Sequence, residues 1–66
     1  MTRNEYENIN IGDMLFRDDR DPVKVKNNHV SGFYVVDMVY NDDLQDYEPS
    51  GSDYLLTTRE VMTFKA

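Results

Sequence analysis

The sequence predicts a mainly-β domain, a small and strongly bent antiparallel sheet or barrel of about four or five strands with at most a short helical turn. Three observations predict it. The long apolar run Gly32 to Tyr40 is almost entirely β-branched or aromatic, the residue types that fit a pleated, half-buried surface. Shorter strand-like runs flank it on both sides, bounded by Asn, Asp, Gly and Pro. A chain of 66 residues has room for one domain only, near the lower limit of what folds without staples.

Read with a period of two, the central run puts Tyr34, Val36, Met38 and Tyr40 on one face and Phe33, Val35, Asp37 and Val39 on the other. Both faces call for cover, which marks an interior strand. Asp37 interrupts the pattern. Either its face is partly open to water, a lysine or tyrosine hydroxyl reaches it, or it is a polar anchor within an apolar binding patch. A buried carboxylate without a partner would cost several kcal/mol. Tyr34 and Tyr54 are expected to lie mostly in the core.

The rest of the chain is assigned around this strand. Residues 1–10 are polar except for Tyr6 and Ile9, and read as a loose arm or a short helical turn. Ile11-Gly12-Asp13 is a turn into a first strand, Met14-Leu15-Phe16-Arg17. Asp18 to Pro22 is a charged turn, since Pro22 suits a strand start and not a strand interior. Val23-Lys24-Val25-Lys26 alternates, with the valines inward and the lysines guarding an edge. Asn27-Asn28-His29 reads as a second turn. Asn41 to Ser52 is polar and reads as a long acidic loop. Asp53 to Thr57 is the last good strand. Thr57-Thr58-Arg59-Glu60 fits a capping box, and one helical turn there would bring Val61 and Phe64 onto the core. A short closing strand over Val61 to Phe64 is the alternative.

Charge narrows the partners. The net charge is −6. Residues 1–26 are nearly balanced, but from Asn27 to Thr58 there is no Lys or Arg, while Asp37, Asp42, Asp43, Asp46, Glu48 and Asp53 all fall there. Phosphate neutralisation needs a basic footprint, so direct binding to nucleic acid or to an anionic membrane is not expected. There is no cysteine, and no apolar run approaches the ~20 residues of a membrane helix. The N-terminus has no signal-peptide pattern. A cytoplasmic location follows as the expectation.

The order of elements resembles an SH3-like small β-barrel. The hydrophobic-Gly-Asp opening of the first strand is Ile11-Gly12-Asp13, and the Thr-led helical turn before a last strand is Thr58-Arg59-Glu60. The resemblance covers about residues 9–66 and implies the architecture. It does not imply proline-motif binding, because the chain has no Trp and no paired-aromatic "Ala-Leu-Tyr-Asp-Tyr" stretch. Size and acidity are also similar to the small accessory proteins with which phages disable host enzymes.

Candidate chemistry is sparse. Counted from Asp46, an EF-hand register places Glu48, Ser50 and Gly51 suitably but Thr57 where a bidentate Glu is needed. His29 with Ser31 lacks an orienting acid and an oxyanion hole. The three glycines are too far apart to cradle a phosphate. No enzymatic activity, metal or cofactor is expected. The expected function is protein binding, through Asp42, Asp43, Asp46, Glu48 and Asp53 with Tyr40 and Tyr47 beside them, since tyrosine is enriched at interfaces. Two versions stand side by side. One is a decoy whose acid row occupies the basic surface of a nucleic-acid-binding protein. The other is a structural or adaptor module that docks in an assembly or pairs with a second copy.

Overall fold

The computed structural model describes residues 1–65. The apolar run is its centre. Gly32–Asn41 forms β3, paired antiparallel with β2 (Val23–His29) on one side and β4 (Asp46–Thr57) on the other; β1 (Met14–Leu15) joins the far side of β2. Two short helices complete the described chain, α1 (Arg3–Glu7) and α2 (Thr58–Val61). The architecture is therefore mainly β, with four antiparallel strands in one sheet of order β1-β2-β3-β4.

The sheet is not closed into a barrel. Closure needs the first and last strands to pair along their length, and β1 has two residues where β4 has twelve. In place of a closing strand there is a single bridge, Phe16 to Lys65. The expectation of at most one helical turn is also corrected, because there are two short helices, α1 and α2.

Strand alternation places Leu15, Val23, Val25, Phe33, Val35 and Leu56 on one face, where Val61 and Phe64 pack against them. Val61 and Phe64 arrive there as expected, on the helical turn begun by the Thr57/Glu60 capping box. Met1, Tyr6, Ile9 and Tyr54 cover the margins of this core. Helix α1 is too short to form alone. Its capping box joins Thr2 and Glu5, and the Thr2 backbone N–H, then its hydroxyl, hold the Glu5 carboxyl below the usual carboxylate range. The Tyr6 ring lies 5.4 Å from Phe33, and its hydroxyl meets Thr58 Oγ1 at 2.9 Å. The N-terminal ammonium donates to the carbonyls of Met62 (2.7 Å) and Phe64 (2.8 Å). Of the two expectations for residues 1–10, the helical turn is the one observed.

Three further expectations change. Asn27-Asn28-His29 is not a turn but the end of β2; the turn is Val30-Ser31, where the Ser31 N–H donates to His29 Nδ1 at 3.0 Å. Lys24 and Lys26 do not lie on a sheet edge throughout, because β1 pairs alongside Lys24. The long loop is mostly strand: only Asp42 to Gln45 form a turn, and Asp46 onward belongs to β4. Polarity misled there, since side chains facing water on a two-stranded ribbon need not be apolar.

The opposite face of the sheet is also covered in part. Val36 and Met38 are buried on it, Val36 lies in register with Lys24 and Met14, and Phe16, Met14, Lys24, Met38 and Tyr47 line a common depression. Tyr34, expected in the core, is 38% exposed instead. It stands on the face opposite the main core, in register with Leu55 and Asn27. Its ring lies 5.3 Å from that of His29, edge to face.

Gly32 shows how tightly β3 and β4 meet. A Cβ there would fall on the Leu56 carbonyl oxygen and 2.9 Å from the Thr57 backbone. Gly51 has positive φ but open space around it. Gly32→Ala should therefore lower unfolding stability by about 3 kcal/mol or more, and Gly51→Ala by only about 1 kcal/mol from backbone strain. Urea denaturation of the two variants checks this; equal losses would contradict it.

Candidate functional site

Six of the seven expected partner-binding residues, all but Asp53, lie on a structure the sequence did not suggest. Strand β2 begins at Val23, opposite Asp37, and its side of β3 is last held by the Met38 N–H donating to the Pro22 carbonyl at 2.9 Å. Beyond that point β3 and β4 continue as a pair alone, from Met38 opposite Pro49 to Asn41 opposite Asp46. They form a two-stranded arm, in keeping with overall dimensions of 36 × 21 × 19 Å.

The arm's tip is built by Asn41. Its Oδ1 accepts from the N–H groups of Asp43 (2.9 Å) and Leu44 (3.3 Å), and Gln45 takes φ 53° to turn the chain back. Asp42, Asp43 and Leu44 are exposed there. The two faces differ. Directly opposed residues share a face, so Tyr40 and Tyr47 stand together, their rings 5.3 Å apart and edge to face. Tyr40 is 52% exposed and Tyr47 half-buried. The other face carries Glu48 beside Val39; Asp46 follows in register with Asn41, but its carboxylate bends back onto the Tyr47 N–H and borders the depression lined by Tyr47, Phe16 and Met14. The two backbone positions are one strand repeat apart, about 7 Å. Asp53 is not on the arm. It sits where Gly51, Ser52 and Asp53 together oppose the single residue Val36, and it is exposed.

The outer edge of β4 offers little to an incoming strand. Pro49 has no N–H to give. The Tyr47 N–H is taken by Asp46 Oδ1 at 2.7 Å, and the Thr57 N–H by Glu60 Oε1 at 3.2 Å. The three-residue bulge interrupts the ladder between them. Such features guard an edge against pairing, so recognition by the arm falls to its side-chain faces.

The other sequence candidates find no site. The EF-hand register runs along β4, an extended strand that cannot wrap a cation. Among the described residues no three His, Asp or Glu side chains converge as metal ligands. His29 accepts from the Ser31 backbone, a bond internal to the turn. Among the described residues no helix is long and apolar enough to cross a membrane.

At the root of the arm lies a cluster that sequence reading found only in part. Asp37 Oδ1 accepts from the Tyr54 hydroxyl at 2.6 Å, one of the partners expected for it. Its second partner is Arg17, whose Nη2 is 3.5 Å away. Arg17 also donates from Nε to the Asp21 carbonyl (2.9 Å), and its guanidinium lies 5.0 Å from the centre of the Phe64 ring. The arginine is brought there because β1 ends one residue before Phe16, a placement visible only in three dimensions. Burial, and then the hydrogen bond to Asp37, raise the Tyr54 hydroxyl above the ordinary tyrosine value.

That shift carries a pH dependence. The folded protein keeps the Tyr54 proton to higher pH than the unfolded chain, so it binds more protons above about pH 10, where free tyrosine titrates. The contribution to stability is complete below that pH and is lost as pH rises through the folded value. Tyr54→Phe should cost about 1 kcal/mol at neutral pH, and the difference from wild type should shrink in alkaline solution. Denaturation of both proteins at pH 8 and pH 11 measures it, these pH values being chosen on either side of about 10; a gap that widens would reverse the sign.

No family model, no curated protein and no solved structure matches the chain.

Proposed function

We propose that this chain is a non-enzymatic protein-binding module whose recognition element is the β3–β4 arm. The acids of the arm would occupy a basic surface on another protein, one that normally holds nucleic acid. The observation that carries the proposal is four acids on one two-stranded ribbon, Asp42 and Asp43 exposed at its tip and Asp46 and Glu48 two positions apart on β4. No Lys or Arg between Asn27 and Thr58 offsets their charge, so the ribbon can take the place of a polyanion on a basic surface. Tyr40 and Tyr47 supply rigid aromatic surface on the reverse side. Association of this kind is steered by charge and weakens with salt.

A structural or adaptor role is the second reading. Phe16, Tyr40, Tyr34 and Leu55 leave apolar surface exposed on the face away from the main core. An SH3-like origin belongs to the proposal for the architecture. It is supported by the Phe16–Lys65 bridge, with bonds of 3.1 and 2.7 Å, at the place where a fifth strand would pair with the first.

Reversing the charge of Asp42, Asp43, Asp46 and Glu48 together should remove captured partners from a lysate pull-down, and raising salt should have the same effect on the unmodified protein. A basic, nucleic-acid-binding protein among the salt-sensitive partners is the expected result. Capture that survives both treatments would exclude the acid row and leave the apolar face as the surface used.

A further inference from the structure

We propose that the groove at the root of the arm receives the acidic arm of a second copy of this chain, in a reciprocal two-fold dimer. Three of the four arginines of this acidic chain, Arg17, Arg20 and Arg59, line one cleft of about 580 Å³ together with Tyr54, Phe64 and Glu60. An adjoining cleft of about 360 Å³ shares Arg17, Arg20 and Asp37 and reaches Val39 and Ser50, where the arm begins. Asp21 also lines it, with its carbonyl taken by Arg17, so the two clefts together hold three arginines and three acids, Asp21, Asp37 and Glu60.

The groove's charges are not equivalent. The Asp37 carboxylate is engaged by Arg17 and Tyr54. Glu60 is turned back on Thr57, accepting from its N–H and its hydroxyl. Arg20 and Arg59 make no ion pair among the described residues. They are exposed forks that suit carboxylates, above a floor formed by the fixed Arg17 and Phe64.

The order of charge along this face selects the occupant. Asp37 and Ser50 share a level of the ribbon, Val39 and Glu48 the next on the same face, and Asn41 and Asp46 the one after. Arginines therefore lie at the root, and the backbone positions of Glu48 and Asp46 lie about 7 and 13 Å further out. A strip with two arginines free of ion pairs at its root and only acids further out complements its own copy when the two are set antiparallel, which is the self-complementarity a two-fold interface demands. Each acid row would then meet the other copy's Arg20 and Arg59. At physiological salt the screening length is about 8 Å, short enough for local pairing to prevail over the net charge. The inference uses the arm as a binding element but does not depend on the basic partner proposed above.

Charge exchange tests it. In sedimentation at neutral pH, the wild type should pass from the mass of one chain toward two as concentration rises to about 1 mM, the range of a small interface. Arg20→Glu with Arg59→Glu should weaken the dimer on the order of tenfold, and Asp46→Lys with Glu48→Lys likewise. Mixed in equal amounts, the two variants should associate with each other more tightly than either does alone, since every contact then pairs opposite charges. A wild type that remains single throughout, or a mixture that gains nothing, overturns the dimer. The arginine variant should still capture the basic partner, so loss of the dimer and loss of the proposed function are read separately.

Discussion

The side chain on which the described structure turns is Arg17. A guanidinium that is only 15% exposed must have its charge and its donors met. Here the Asp21 carbonyl, the Asp37 carboxylate and the Phe64 ring meet them from three separate parts of the chain. The contact ties the end of the first strand to the middle of the third and to the C-terminal turn. It also settles the polar residue in the central strand, because Asp37 lies where the apolar core ends and receives Tyr54 and Arg17 rather than remaining unpartnered.

A small sheet packed on one face leaves its other margins to be covered by whatever the chain ends can supply. Met1, Tyr6 and Ile9 reach the core from the N-terminal side, Val61 and Phe64 from the C-terminal side. The ends also bond each other, through the ammonium group and the Tyr6–Thr58 hydroxyl pair. Neither helix is long enough to be stable by itself; each persists through its capping box and through docking. The open meander is thus compact without being a barrel.

The same economy explains the arm. β2 contributes its register only as far as Asp37, and β1 only two residues. Past that point β3 and β4 have each other and no third strand. Such a ribbon can be polar on one face, and this one is acidic on one side and aromatic on the other. Its outer edge is closed by Pro49, by the Asp46 carboxylate on the Tyr47 N–H and by the bulge. An extended, projecting pair of strands thereby avoids random strand pairing while keeping its side chains available.

Much of the fold was legible in the residues. Alternating Val23 and Val25, the β-branched centre of β3, the turn at Gly12 and the Thr57/Glu60 capping box are local patterns, and period and cap chemistry suffice to recognise them. The acidic bias of the middle third was equally plain. Tertiary structure decided the rest. Whether Asn41 to Ser52 would be loop or strand depended on pairing with β3, a non-local contact that leaves no mark in a polar sequence. Whether Tyr34 would be core depended on which face of β3 the chain ends covered. The meeting of Arg17, Arg20 and Arg59 required residues some forty positions apart to be folded onto one groove, and only the docking of the C-terminal turn against the sheet could bring that about.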